Sequence, residues 1–172
     1  MCECLERILV YAAQHADDAI SYDGELNAYP DSDWSDHEMV AYSDSDWSEG
    51  HGTLGGCLKL AKGLIHWFSR RQQCITMSST ESEIMAASET ALEVVYHRRL
   101  LSELGLPQRK PTKLYVDNQG AVELSKDQKS CHRSRHVLRR YFKVRELQHD
   151  GVLEVLWVAT DDNLADGFTK PL

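Results

Sequence analysis

Apolar positions recur along this chain in three rhythms. Leu5, Ile8, Leu9 and Ala12 stand at helical spacing and predict a short amphipathic helix over residues 3–20. Ser21 to His37 is rich in Asp, Ser, Asn, Gly and Pro and reads as a linker. Short strand-like runs follow at Glu38–Asp44, Gly55–Leu60 and Gly63–Ser69, with a Gly-rich turn at Ser48–Thr53. Ala61-Lys62-Gly63 joins the last two as a hairpin. The third rhythm starts at Ser78-Ser79-Thr80-Glu81, which opens a long helix running through Leu104, with Gly105 and Pro107 as its stop.

Beyond the long helix, Leu114-Tyr115-Val116 is a short strand ending at Asp117. Asn118-Gln119 then caps a helix over Gly120–Ser125. A further helix is expected to reach about Gln148, followed by a strand at Val152–Val158 and a short terminal helix at Asn163–Phe168. Three strands, a helix and two helix-separated strands predict an α/β fold. Its sheet is mixed and five-stranded, three antiparallel strands then two parallel, flanked by helices. Residues 1–37 stand apart from a single domain spanning 38–172. A repeat straddles that boundary: Tyr29-Pro-Asp-Ser-Asp-Trp-Ser and Tyr42-Ser-Asp-Ser-Asp-Trp-Ser.

Charge changes this picture more than composition does. The 172 residues carry 27 acidic and 19 basic side chains, a net charge of −8 that argues against a phosphate-rich partner. Residues 1–49, however, hold 13 acidic residues and one basic one, Arg7. The remainder carries 14 acidic and 18 basic residues, and Lys126–Glu146 alone has eight Lys and Arg against two acids. No apolar run approaches the ~20 residues that span a bilayer. Five cysteines without framework spacing fit a reducing compartment, and no secretory signal pattern opens the chain. Cys57, Cys74 and Cys131 have no neighbouring base, and the glycines after the first strand do not open a helix as a phosphate loop would.

The carboxylates fall at the ends of the predicted elements. Asp44 closes the first strand, Glu81 lies in the first turn of the long helix, Asp117 ends the fourth strand and Asp166 sits in the terminal helix. A mixed sheet that sets strands one and four side by side would gather these acids at one end of the sheet. Such a cluster repels itself unless divalent cations neutralise it, and an all-oxygen ligand set favours Mg²⁺ or Mn²⁺. Two ions there would suit phosphodiester hydrolysis. Spacing alone leaves other roles open. Glu81 also fits a capping box with Ser78, Asp117-Asn118 fits a strand-end turn, and Asp46 and Asp31 rival Asp44. Trp67 and Trp157, in strands, are expected in the core.

From about Met39 to Leu172 the chain resembles the ribonuclease H domain at the C-terminus of copia-type LTR retrotransposon Pol polyproteins. The resemblance rests on Ala41-Tyr-Ser-Asp-Ser-Asp-Trp-Ser48, Trp67-Phe-Ser-Arg-Arg-Gln-Gln73, Met77-Ser-Ser-Thr-Glu-Ser-Glu-Ile-Met-Ala-Ala-Ser-Glu89, Leu114-Tyr-Val-Asp-Asn-Gln-Gly-Ala121, His132-Arg-Ser-Arg-His136 and Asp162-Asn-Leu-Ala-Asp-Gly-Phe-Thr-Lys-Pro-Leu172. It implies a ribonuclease H-like fold and an endonuclease that cuts the RNA strand of RNA–DNA hybrids with two Mg²⁺ ions, Mn²⁺ substituting. Asp44, Glu81, Asp117 and Asp166 would be the catalytic metal ligands, with Asp44 preferred to Asp46. Residues 1–37 resemble the tail of a reverse transcriptase region, itself an implied partner. The implied setting is cytoplasmic, in a virus-like particle, or nuclear, with no membrane and no secretion.

Substrate contacts follow the same logic. Arg133, Arg135 and Arg139 in the basic segment would meet phosphates. Ser78, Thr80, Asn118 and Gln119, beside the expected ligands, would meet minor-groove 2′-hydroxyls. Three departures from the family pattern stand out. Leu138 replaces an Asp, Gly167 replaces a bulky apolar residue, and the loop Ala159–Asn163 has no His for proton delivery. Leu138, Gly167 and the missing polymerase region motivate an alternative, a catalytically weak or inactive nucleic-acid-binding relic with the same fold.

Overall fold

The computed structural model describes residues 38–47, 51–60, 63–126 and 135–170, with the side chains of 135–138 left aside. The predicted N-terminal helix, the linker, the Tyr29 repeat copy and Asp31 lie outside the described residues, as do Arg133 and the stretch 127–134.

Five strands form one sheet: β1 (Met39–Asp46), β2 (Thr53–Leu60), β3 (Gly63–Arg71), β4 (Thr112–Val116) and β5 (Leu153–Trp157), in the spatial order β3-β2-β1-β4-β5. β1 pairs antiparallel with β2 and parallel with β4, while β4 pairs parallel with β5. The mixed sheet is therefore as its sequence pattern predicts, with β1 at its centre.

Among the described residues, three helices complete the order: α1 (Ser79–Glu103), α2 (Gln119–Lys126) and α3 (Arg135–His149). α1 begins where Ser78 accepts a hydrogen bond from the Glu81 N–H at 3.2 Å. It ends in a Schellman motif, with Gly105 N–H on Ser102 O, Leu106 N–H on Leu101 O, and Gly105 at φ +82°. Pro107 follows, as a helix stop should.

One face of the sheet meets the helices. Met39, Ala41, Leu58, Leu114, Val116 and Val155 pack there against Ile84, Ala87, Ala91 and Val94 of α1 and Tyr141, Val144 and Leu147 of α3. The alternate β1 and β4 positions Tyr42 and Tyr115 stack with ring centroids 5.0 Å apart. Trp67 and Trp157 are about half exposed, at 45% and 50%, not core. Trp67 alternates with buried Phe68 and so faces away from α1, and Trp157 is the last residue of an edge strand.

Two boundaries differ from their sequence reading in ways that matter at the site. β1 continues to Asp46 because Ser45 and Asp46 pair with Leu54 and Thr53, which puts Asp44 inside the strand opposite Gly55. The C-terminal segment is not one helix over Asn163–Phe168 but two 3-10 turns, Thr160–Asp162 and Asp166–Phe168. Asn163 spends its side chain on the Ala165 N–H and on the Ser43 carbonyl, a local bond that competes with helix. Gly167 adds a further cost to helix formation.

Candidate metal centre

The central strand delivers Asp44, the parallel neighbour β4 ends one residue before Asp117, and the first turns of α1 lie over both. Carboxylate oxygens of Asp44, Glu83 and Asp117 lie within 4.8 Å of one another, the one such group of possible metal ligands among the described residues. Asp44 and Glu83 are each only 5% exposed. Asp44 and Asp117 thus meet as their sequence positions suggest. Asp166 stands beside them, close enough that its charge raises the pKa of Asp44.

Glu81 does not join the cluster. Its carboxylate accepts the Met77 N–H at 2.9 Å and its own N–H is capped by Ser78, so it closes the start of α1. The helix reaches the cluster through Glu83, two positions on and about 200° further round the axis. One signal in the sequence pointed there. Glu83 opens the run Glu-Ile-Met-Ala-Ala, whose members are all buried, and a carboxylate inside a buried run needs a reason.

The protein orients these acids without neutralising them. Glu83 Oε1 accepts from Ser45 N–H at 3.1 Å and Ser45 Oγ at 2.7 Å, while Oε2 is buried and has no hydrogen-bond partner. Asp44 Oδ2 accepts from the Thr169 hydroxyl, with Thr169 itself only 2% exposed. Burial, and then the charge of Asp44, raise the Glu83 pKa to about 8. Burial raises Asp44 to about 6, with Asp117 and Asp166 adding to the shift against the Thr169 bond. Among the described residues, Asp166 alone of these acids has a direct cation, Lys170, whose Nζ is 2.6 Å from Oδ1.

The C-terminal segment is fastened down to make this possible. Ser69 donates to the Phe168 carbonyl at 2.6 Å, and Asn163 Nδ2 donates to the Ser43 carbonyl at 3.1 Å. Gly55, opposite Asp44, has to be a glycine. A Cβ there would lie 2.7 Å from Thr169 Cγ2 and 3.0 Å from Phe168 Cβ.

The expected substrate contacts divide. Asn118 caps α2 through Ala121 N–H at 3.0 Å, next to Gly120, whose surroundings include Thr80 Oγ1. Ser78, Thr80, Asn118 and Gln119 therefore gather where the N-termini of α1 and α2 meet the acids. Arg139 is exposed on α3. Arg135 begins that helix, and nothing of its side chain is described. Arg140 is taken up by Glu89 of α1, and Lys143 by Glu146. Trp157 Nε1 donates to the Asp117 carbonyl at 3.0 Å, and Trp47 Nε1 to the Thr76 carbonyl at 3.2 Å, so both half-exposed indoles border the site.

The donor set fits a hard divalent ion. It is all oxygen, three-sided, and contains one buried oxygen without a partner. Among the described residues, no helix is long and apolar enough to cross a membrane.

No protein-family model matches the sequence. The chain is 39% identical over 118 residues, 69% of its length, to the retrovirus-related Pol polyprotein of transposon TNT 1-94 from Nicotiana tabacum. It is 33% identical over 172 residues, 98% of its length, to that of transposon RE2 from Arabidopsis thaliana. It spans only 9% and 11% of those two polyproteins. Its fold matches LC11-RNase H1, solved in complex with an RNA/DNA hybrid, at a TM-score of 0.59 and 12% identity, over 77% of this chain and 94% of that one. Along nearly its whole length, then, the chain is a relative of one segment of copia-type transposon Pol polyproteins, folded as a ribonuclease H domain.

Proposed function

We propose that this domain is a ribonuclease H-type nuclease that cleaves the RNA strand of RNA–DNA hybrids by metal-dependent phosphodiester hydrolysis. The observation that carries this reading is the convergence of Asp44, Glu83 and Asp117, two of them buried, with one Glu83 oxygen unpartnered. Leaving a buried carboxylate oxygen unpaired costs several kcal/mol in a stable fold unless a ligand completes it. Asp44, Glu83 and Asp117 would hold Mg²⁺ or Mn²⁺, with Asp166 adjoining. Bound there, the metal supplies a water of lowered pKa and charge stabilisation at the phosphate.

The remaining steps fall to this chain's own residues. Ser45 and Thr169 fix the rotamers of Glu83 and Asp44, so the ligand oxygens are preorganised before substrate arrives. Ser78, Thr80, Asn118 and Gln119 sit where a minor groove laid across the site would present 2′-hydroxyls, the group that separates RNA from DNA. Arg139, with Arg133 and Arg135 of the same segment, would take backbone phosphates, giving sequence-neutral, salt-sensitive affinity. In an intact element the reverse transcriptase region of the same polyprotein would be the partner, with a cytoplasmic virus-like particle or the nucleus as the setting.

The test is a labelled RNA–DNA hybrid incubated with the full chain in Mg²⁺, Mn²⁺ or EDTA, beside Asp117→Asn. Metal-dependent cutting of the RNA strand, lost in the variant and in EDTA, is the expected result. Hybrid binding without any cutting in either metal would overturn the nuclease reading and leave a binding module.

A further inference from the structure

The acid site is unequally served by positive charge. Asp44 is oriented by the Thr169 hydroxyl and Glu83 by the Ser45 hydroxyl and N–H, whereas Asp166 has a full ammonium against it. Lys170 Nζ is 2.6 Å from Asp166 Oδ1, four residues along the same hooked segment. Thr169, the residue before it, is buried on Asp44, so the hook cannot swing Lys170 away without breaking that bond. Gly55 leaves room for Thr169 and Phe168 against β2, which fixes the backbone of the hook in turn. The ammonium also lies in the field of Asp44 and Asp117. Its side chain remains more than half exposed, so it can leave the cluster without crossing the protein.

We infer that Lys170 is the acid site's built-in counter-cation: it neutralises the Asp166 side of the cluster in the metal-free protein, and a divalent ion entering there displaces it. The inference rests on the metal-binding reading above and adds a positioning residue to it. Four carboxylates at one end of the sheet would otherwise fold against their own repulsion. A single mobile ammonium lowers that repulsion and, being partly solvated, yields to a doubly charged ion that carries more of it. The same charge must then weaken the metal, because the ion and the ammonium compete for Asp166.

Two measurements separate this from a merely structural salt bridge. Direct Mn²⁺ binding, by calorimetry or paramagnetic resonance, should tighten about two- to fivefold in Lys170→Met, the range of a partly exposed ion pair, and stay within twofold of the native chain in Lys170→Arg. Equal or weaker Mn²⁺ binding in Lys170→Met overturns the inference. In EDTA at pH 8, Lys170→Met should lower Tm, and that loss should shrink when Asp117→Asn has already removed a charge the ammonium does not touch. The same loss in both backgrounds also overturns it. A native chain that binds no Mn²⁺ would instead defeat the metal-binding reading, and the EDTA comparison alone would then decide the role of Lys170.

Discussion

Helix α1 carries acids to two regions of the molecule, and the two are treated in opposite ways. Glu89 and Glu93, on its middle turns, meet Arg140 of α3 and Arg70 of β3 in a connected chain of ion pairs. Glu83, fewer than two turns earlier, is more deeply buried, faces Asp44 and Asp117, and meets no cation among the described residues. Paired acids tie α1 to its neighbours. Burial and the charges of Asp44 and Asp117 raise the pKa of the unpaired Glu83, a cost that an ordinary structural site has no cause to retain.

The strongest way to break that contrast is to neutralise each kind of acid at the start of α1. Glu83→Gln should lower metal-dependent hybrid cleavage on the order of 100-fold or more, yet raise Tm in EDTA at pH 8 and above, because a neutral amide no longer faces Asp44. Glu81→Gln should leave cleavage within a few-fold and change stability by less than ~1 kcal/mol, the scale of a cap interaction. Single-turnover rates and thermal melts on the same samples check both. A Glu81 variant that loses cleavage while the Glu83 variant keeps it would reverse the assignment.

The glycine opposite the cluster comes next. Gly55→Ala places a methyl 2.7 Å from Thr169 and should cost about 1–3 kcal/mol as overpacking. It should also loosen the Thr169–Asp44 bond, so metal affinity falls together with Tm. Chemical denaturation with and without Mg²⁺ reads both effects. A variant as stable as the parent would mean the hook is not clamped on β2.

The pH dependence sharpens the comparison further. Asp44 and Glu83 have folded pKa values raised to about 6 and about 8, above their ordinary 3.8 and 4.5. The folded state therefore binds more protons than the unfolded one between those limits, so stability falls as pH rises. In EDTA, Tm should decline from about pH 4 and level off above about pH 8. Saturating Mg²⁺ should flatten or invert the slope, because the ion replaces the protons. A metal-free Tm that rises from pH 5 to 8 would contradict both directions.

Sheet order and the two aspartates at the strand ends of its centre were legible in the sequence because strand periodicity and strand-end position are local properties. Three strand-like runs, then Leu114–Asp117 after one long helix, fix which strands can neighbour β1. Glu83 was not legible with the same ease, since a capping-box spacing and a site carboxylate lie two residues apart and only the helix phase separates them. That phase is set by packing of Ile84, Ala87 and Ala91 on the sheet, a long-range fact. The terminal hook escaped for a similar reason. Asn163 bonds a carbonyl 120 residues away, and no pattern within six residues announces that its side chain will compete with the helix. The half-exposed Trp67 and Trp157 show the converse. A strand has two faces, and apolar character does not say which one a helix will cover.

The smallest effects test whether the basic helix divides as its partners do. Arg140→Ala should cost about 1 kcal/mol, because it leaves Glu89, only 23% exposed, with the more distant Arg70 at 4.0 Å. Its effect on hybrid affinity should be small. Arg139→Ala, on an exposed position one residue earlier, should leave stability within ~0.5 kcal/mol and weaken hybrid binding modestly, lowering the slope of log K against log salt by at most about one. Affinity measured at several salt concentrations separates the two. If Arg140 rather than Arg139 carries the salt dependence, the ion-paired region and the substrate face overlap, and pairing with Glu89 is the state the hybrid has to break.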